Sequence, residues 1–147
     1  MLRAGLHGAR WIDPENYHLT LRFVGDVDGA TARHFADALG DILAVPFRLK
    51  LNGLDSFGGN KPRTIFASAE PSPELDARHY ACDAAARLAR LPPERRNFKP
   101  PVTIARLRGT RPEALAAYLQ NIGLVSDSFT VTRFVLYSSR DSVGGGP

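Results

Sequence analysis

The chain has 147 residues, 44% of them hydrophobic and 23% charged, which suits one compact domain or two small lobes sharing an interface over a real core. No apolar run approaches the roughly 20 residues that span a bilayer, and Met1 to Arg10 lack the continuous apolar stretch of a secretory signal, so no membrane segment and a cytoplasmic location are expected. The single Cys82 cannot make an internal disulfide and lies in a helical apolar pattern, where it reads as core.

Residues 1 to 16 carry the turn formers Gly5, Gly8 and Asp13-Pro14-Glu15-Asn16, with Trp11 and Ile12 as a short apolar anchor, and read as a lead-in loop. From Tyr17 to Val24 the residue types alternate. Leu19, Leu21 and Phe23 fall on one face of a strand, and His18, Thr20 and Arg22 on the other. Asp28 can cap a helix over residues 29 to 44 whose Phe35, Leu39, Ile42 and Leu43 recur at helical spacing, leaving His34 exposed. Residues 47 to 52 alternate as a half-buried strand. Gly58-Gly59-Asn60-Lys61-Pro62 then turns the chain into Thr64-Ile65-Phe66-Ala67, which predicts an antiparallel hairpin.

Ser72-Pro73 starts a helix that runs to about Leu91 and ends at Pro92-Pro93. His79 on this helix reads as a surface or packing residue. A basic loop leads to Pro100-Pro101-Val102-Thr103-Ile104-Ala105-Arg106-Leu107, the next strand. Thr110-Arg111-Pro112-Glu113 has the spacing of a capping box for a helix to about Ile122 with Leu115, Leu119 and Ile122 inward. Phe129 to Ser138 is the last expected strand, and Asp141 to Pro147 reads as a disordered tail.

Thr103 follows Thr20 by 83 positions, and each threonine sits between apolar neighbours in a segment that leads through a glycine, Gly25 or Gly109, into a helix. Phe129 likewise follows Phe47 by 82. A strand-helix-strand unit therefore occurs twice, predicting an α+β fold with antiparallel sheets, two similar lobes and a site between them. The first copy carries an imidazole and a hydroxyl side by side; the second has Pro101 where the first has His18. A lone histidine on a strand is more often structural than catalytic, and only the second copy lifts this one above that reading. Net charge is +4, and Arg87, Arg90, Arg95, Arg96, Lys99, Arg106, Arg108 and Arg111 crowd around the second motif. Such a patch suits a phosphate-bearing partner, and equally a plain solvated surface.

His18-Leu19-Thr20-Leu21-Arg22-Phe23-Val24-Gly25 and Pro101-Val102-Thr103-Ile104-Ala105-Arg106 resemble the paired His-x-Thr-x motifs of the two-histidine phosphoesterase superfamily, in particular its bacterial RNA 2',3'-cyclic phosphodiesterase branch, historically called 2'-5' RNA ligase. Ala9-Arg10-Trp11-Ile12, Glu15-Asn16, Pro62-Arg63, Leu91-Pro92-Pro93-Glu94-Arg95-Arg96 and Leu136-Tyr137-Ser138-Ser139 extend the likeness over nearly the whole chain. The resemblance implies a single bilobal domain over residues 1–147, with flanking helices and motif strands facing a central cleft. It also implies hydrolysis of RNA 2',3'-cyclic phosphate ends to 2'-phosphates without metal or other cofactor. RNA ends or small cyclic nucleotides would be the partners. Opening the ring needs a base for water, an acid for the departing ribose oxygen and donors for the phosphate oxygens. By carry-over His18 is the acid, Thr20 and Thr103 hydrogen-bond the phosphate, and Arg106 balances its charge.

The chain departs from the family pattern in three ways. Pro101, with neither a titratable group nor a backbone donor, holds the position of the second histidine. The usual first strand and helix, and the usual last strand, do not stand in the sequence. Each sheet is then expected to lose a strand, leaving unpaired edges that favour dimerisation or instability. Hydrolysis is expected to be weakened or lost at Pro101. A non-catalytic nucleotide-binding or RNA-end-binding module on the same fold is the alternative, and an interaction domain using only the scaffold is a third.

Overall fold

A computed structural model describes residues 5–94, 98, 101–122 and 127–138. Arg95, Arg96, Lys99 and the tail from Asp141 to Pro147 lie outside the described residues. In chain order the elements are β1 (Ala9–Trp11), a 3-10 turn (Pro14–Asn16), α1 (Gly29–Gly40), β2 (Phe47–Leu49), β3 (Leu51–Phe57), β4 (Thr64–Ala69), α2 (Pro73–Leu88), β5 (Pro101–Leu107), α3 (Pro112–Asn121) and β6 (Phe129–Val131). They form the expected α+β arrangement: an antiparallel sheet in the order β1-β5-β4-β3 and a separate antiparallel pair, β2-β6. None of these helices is long and apolar enough to cross a membrane.

One face of the larger sheet is apolar and one is not. Ile65, Ala67, Val102, Ile104, Ala105 and Leu107 pack against Leu115 and Tyr118 of α3, and Trp11 leans on the Tyr118 ring at 5.9 Å. Burial pushes the Tyr118 hydroxyl up. Two smaller apolar clusters lie among the described residues. Phe35 of α1 sits on Ala85, Ala86 and Ala89, whose small side chains let α1 and α2 approach closely, while Phe47 and Leu49 of β2 meet Leu75 of α2. Cys82 is buried and its thiol is pushed up by that burial, as a core residue.

The sequence repeat has a geometric counterpart. β2 pairs with β6 in the register Phe47↔Val131, Arg48↔Thr130, Leu49↔Phe129, and Leu19 makes an antiparallel bridge to Val102. Val102 is the counterpart of Leu19 in the repeat, and Thr130 of Arg48. Each strand segment thus pairs antiparallel with its own equivalent, the relation a local two-fold axis imposes. The Arg48 guanidinium spans the second pair, donating to the hydroxyls of Ser128 and Thr130.

Several expected boundaries move, each for a physical reason. The lead-in loop contains β1, which needs only three residues because β5 supplies all its partners, Ala9↔Leu107 through Trp11↔Ala105. The strand expected over residues 47 to 52 divides at Lys50: β2 joins β6, and the hairpin partner of β4 is β3. The last strand stops at Val131 because β2 offers only Phe47–Leu49 to pair with. Helix α1 ends at Gly40, where the N–H groups of Asp41 and Ile42 turn back to Ala38 and Leu39 in tight i,i+3 closures, and Leu43 is left 84% exposed. Asp28 and Ser72 cap α1 and α2 as expected, accepting from Thr31 N–H at 2.7 Å and Leu75 N–H at 3.1 Å. The capping box on α3 does not form: the buried Thr110 hydroxyl donates instead to the His7 carbonyl at 2.8 Å, tying the start of the described chain to the end of β5.

Two backbone positions test this packing. Gly8 has φ +85°, and a Cβ there would stand 2.3 Å from the Arg108 carbonyl oxygen, so Gly8→Ala is expected to cost about 2 kcal/mol or more. Arg90 holds φ 60° just beyond α2, where its N–H and that of Leu91 return to Arg87 and Ala86 in the helix-ending pattern usually given to glycine. Arg90→Gly is therefore expected to raise stability by about 0.5–1 kcal/mol, and urea unfolding of both variants reads the two opposite signs.

Candidate active site

The first motif is held beside the second by the Leu19↔Val102 bridge. Leu19 points into the core with Val102, so the alternation of an extended chain leaves His18 and Thr20 on the opposite face, and both are exposed. Stepping outward from an antiparallel bridge brings His18 opposite Thr103 and Thr20 opposite Pro101. On the other side of β5, Phe66 pairs with Thr103, Ser68 with Pro101 and Thr64 with Arg106. The sheet shifts register between Ile65 and Phe66, which turns both Ile104 and Ala105 into the core and brings Arg106 to the same face as Thr103. Arg10 on β1 stands opposite Arg106. The sequence-derived residues His18, Thr20, Thr103 and Arg106, and the Pro101 position, are thus brought together on the face of the sheet turned away from α3.

The His18 Nδ1 lies 2.9 Å from the Asn16 carbonyl. A carbonyl can only accept, so Nδ1 carries the proton and Nε2 is the nitrogen that takes or gives one. The 3-10 turn Pro14–Asn16 supplies this contact, and so the Asp13-Pro14-Glu15-Asn16 turn sets the tautomer of the motif histidine. Thr103 is half-buried and Arg106 exposed. A cleft of about 610 Å³ lined by Phe57, Gly58, Arg63, Thr64, Arg106 and Leu107 opens beside them. No second imidazole joins the face by register. Of the other described histidines, His7 precedes β1, His34 is on α1 and His79 is on α2. Among the described residues there is also no group of three or more metal-ligating side chains.

Helix α2 clamps the end of the first motif. His79 Nδ1 donates to the Leu21 carbonyl at 2.8 Å while its ring stacks on Phe98 at 4.0 Å and 5°. The Arg22 side chain, expected on the outer face, is only 7% exposed. Its Nε lies 3.4 Å from Asp83 and its Nη1 3.7 Å from Glu94, and it donates to the carbonyls of Phe23 and Pro92. Turning Arg22 inward forces Phe23 outward to 65% exposure, so the strand alternation ends at Leu21. Two nearby carboxylates and two accepting carbonyls offset part of the cost of burying the guanidinium, whose Nε makes no hydrogen bond among the described residues, whereas an outward Arg22 would leave Asp83 and Glu94 without it. His79 and Arg22 are the site-forming residues that local reading of the sequence missed, because their partners lie some 60 to 70 residues away. Only long-range contact information could have singled them out.

The architecture defines a class: two related strand-helix-strand units paired about a local two-fold, with polar motif residues on a shared sheet face, the fold of the LigT-type phosphoesterases. Residues 4–142 match the model of the 2'-5' RNA ligase superfamily, and the chain belongs to that family. It is 31% identical over 115 residues to the RNA 2',3'-cyclic phosphodiesterase of Aeropyrum pernix, covering 76% of this chain and 65% of that protein. It is 31% identical over 144 residues to the enzyme of the same name from Aquifex aeolicus, covering 82% of this chain and 74% of that one. The crystal structure of E. coli LigT complexed with 3'-AMP superposes with a TM-score of 0.71 at 22% identity, over 94% of this chain and 75% of that chain. The chain thus spans about two thirds to three quarters of these proteins.

The α2 clamp carries a pH signature. The hydrogen bond from Arg87 at 2.9 Å, followed by the charge of Arg87 and then that of Arg22, outweighs burial and holds the Asp83 carboxyl below the usual carboxylate range. A carboxyl lowered in the folded state stabilises fully above its unfolded value, near 3.8, and loses that contribution as pH falls through the folded one. Asp83→Asn is therefore expected to be less stable than the wild type at pH 7, with the gap narrowing below about pH 4 in paired urea titrations.

Proposed function

We propose that this protein hydrolyses RNA ends bearing a 2',3'-cyclic phosphate to 2'-phosphates, slowly, with a single imidazole. The observation that carries the reading is the juxtaposition across the Leu19↔Val102 bridge, which sets His18 beside Thr103 on the face that also presents Arg106. The names of the relatives above support the substrate class. That E. coli LigT, which shares the fold, forms a complex with 3'-AMP supports a nucleotide as the kind of ligand.

In the proposed step, the oxygen of a water forms a bond to phosphorus and the bond from phosphorus to the ribose 3'-oxygen breaks. His18, protonated on both ring nitrogens, gives its Nε2 proton to that departing oxygen. Thr20 and Thr103 donate to the equatorial phosphate oxygens, and Arg106 offsets the charge that builds there. The attacking water must lose a proton, and Pro101 stands where a second imidazole would take it. That proton passes to bulk water or a phosphate oxygen, which is the slow part of the cycle.

Pro101 also supports a second reading, in which the protein binds phosphorylated RNA ends without turning them over. Hydrolysis of a 2',3'-cyclic nucleotide end separates the two. Pro101→His is expected to raise the rate roughly a hundredfold to ten-thousandfold, the worth of one acid-base partner. Pro101 opens β5, where a proline costs the sheet least and a donor is easily accommodated. Adding His18→Ala should abolish the gain, since the pair acts as a unit. Arg106→Ala should weaken binding of a 2'-phosphorylated nucleotide and flatten its salt dependence. A wild-type rate that Pro101→His does not improve would mean that another group already supplies the base.

A further inference from the structure

We propose that Phe57 and Phe66 form the seat for the nucleobase of the bound RNA end, a subsite that rests on the reading above. Their rings stack on each other, 4.3 Å between centroids and 19° between planes. Phe66 is the cross-strand partner of Thr103, and Phe57 pairs with Thr64, which in turn pairs with Arg106. Both rings therefore stand on the motif face of the sheet, opposite the face that packs on α3. Neither belongs to any of the three apolar clusters of the described interior. Phe57 is 51% exposed and lines the cleft together with Arg63 and Arg106.

The pair lies outside the three apolar clusters and ties β3 to β4 as neighbouring-strand aromatics do, while the half-exposed Phe57 ring still offers a π-face to a flat ligand. A phosphate resting on Thr103 lies one strand from Phe66 and two from Phe57, about 5 to 10 Å at the usual strand spacing, which is the reach of a ribose from its phosphate to its base. The base would extend the Phe66-Phe57 stack, with the Arg63 guanidinium near its edge. Every base has a π-face, so this recognition tolerates sequence and ranks bases by stacking area, purines above pyrimidines. Asp55, opposite Phe66 on the same face, puts its carboxylate on the β3 side of the platform, where an exocyclic amino group can donate to it. The inference is thus a base-tolerant reader of RNA ends with a preference for purines.

The test is calorimetric titration of the full chain with adenosine 2'-monophosphate and, separately, with inorganic phosphate. Phe57→Leu keeps the apolar bulk and removes the π-face, and Phe57→Ala removes both. Each is expected to weaken the nucleotide about tenfold, within the usual range for one base on one aromatic ring, and to leave phosphate within twofold. Phe57→Trp should restore or tighten nucleotide binding. Nucleotide affinity unchanged in Phe57→Leu, or nucleotide and phosphate weakened alike, overturns the seat. If Phe57→Ala does not fold, Phe57→Leu and Phe57→Trp decide. Arg106→Ala separates this failure from that of the site itself: phosphate binding indifferent to Arg106 rejects the site, whereas a loss with Arg106→Ala and no response at Phe57 rejects the seat alone.

Discussion

The antiparallel contact between Leu19 and Val102 is the constraint on which the rest depends. It joins the same position of two repeated units, and the second such contact, Arg48 with Thr130, does so again in the smaller sheet. Leu19 is also shared between the core under the larger sheet and the cluster around Leu75 of α2. A leucine committed to both clusters cannot rotate out without opening each of them. Because side chains alternate along an extended chain, committing Leu19 inward commits His18 and Thr20 outward. Burial of an apolar residue that does no chemistry thus decides where the polar ones stand.

A single bridge is a short stretch of pairing, and the chain compensates from behind. Beyond Leu21 the motif leaves the sheet, and α2 takes over its support through His79 on the Leu21 carbonyl and Asp83 on Arg22. Asp83 is itself fixed by Arg87 one helical turn on. On the other flank the Pro14–Asn16 turn holds the His18 ring. The motif is therefore supported on both sides by elements that do not belong to either sheet, and its imidazole orientation depends on a local turn while its backbone path depends on a distant helix.

Much of this was legible in the residues. Period-two alternation puts His18 and Thr20 on one face and Leu19 on the other, and the spacing of Thr20 to Thr103 and of Phe47 to Phe129 discloses the repeat. What could not be read was decided at long range. Arg22 and Phe23 exchange faces because carboxylates on α2 and in the loop after it draw the guanidinium inward, and no local pattern announces them. The division at Lys50 between two sheets looks, in sequence, like one continuous strand. Thr110 has the spacing of a cap and spends its hydroxyl on His7, more than a hundred residues away. The aromatic pair was hidden for another reason: Phe57 closes a strand beside a glycine turn, where exposure and burial leave the same signature.

The central claim is that both motif segments and Arg106 read one ligand from one sheet face. Backbone amide shifts on titration with adenosine 2'-monophosphate test it most directly. The account predicts that Thr20, Thr103 and Arg106 move together, with one dissociation constant and one-to-one stoichiometry, and that the same amides stay still when His18 and Arg106 are both replaced by alanine. Shifts confined to one motif, or different dissociation constants at Thr20 and Thr103, would contradict it.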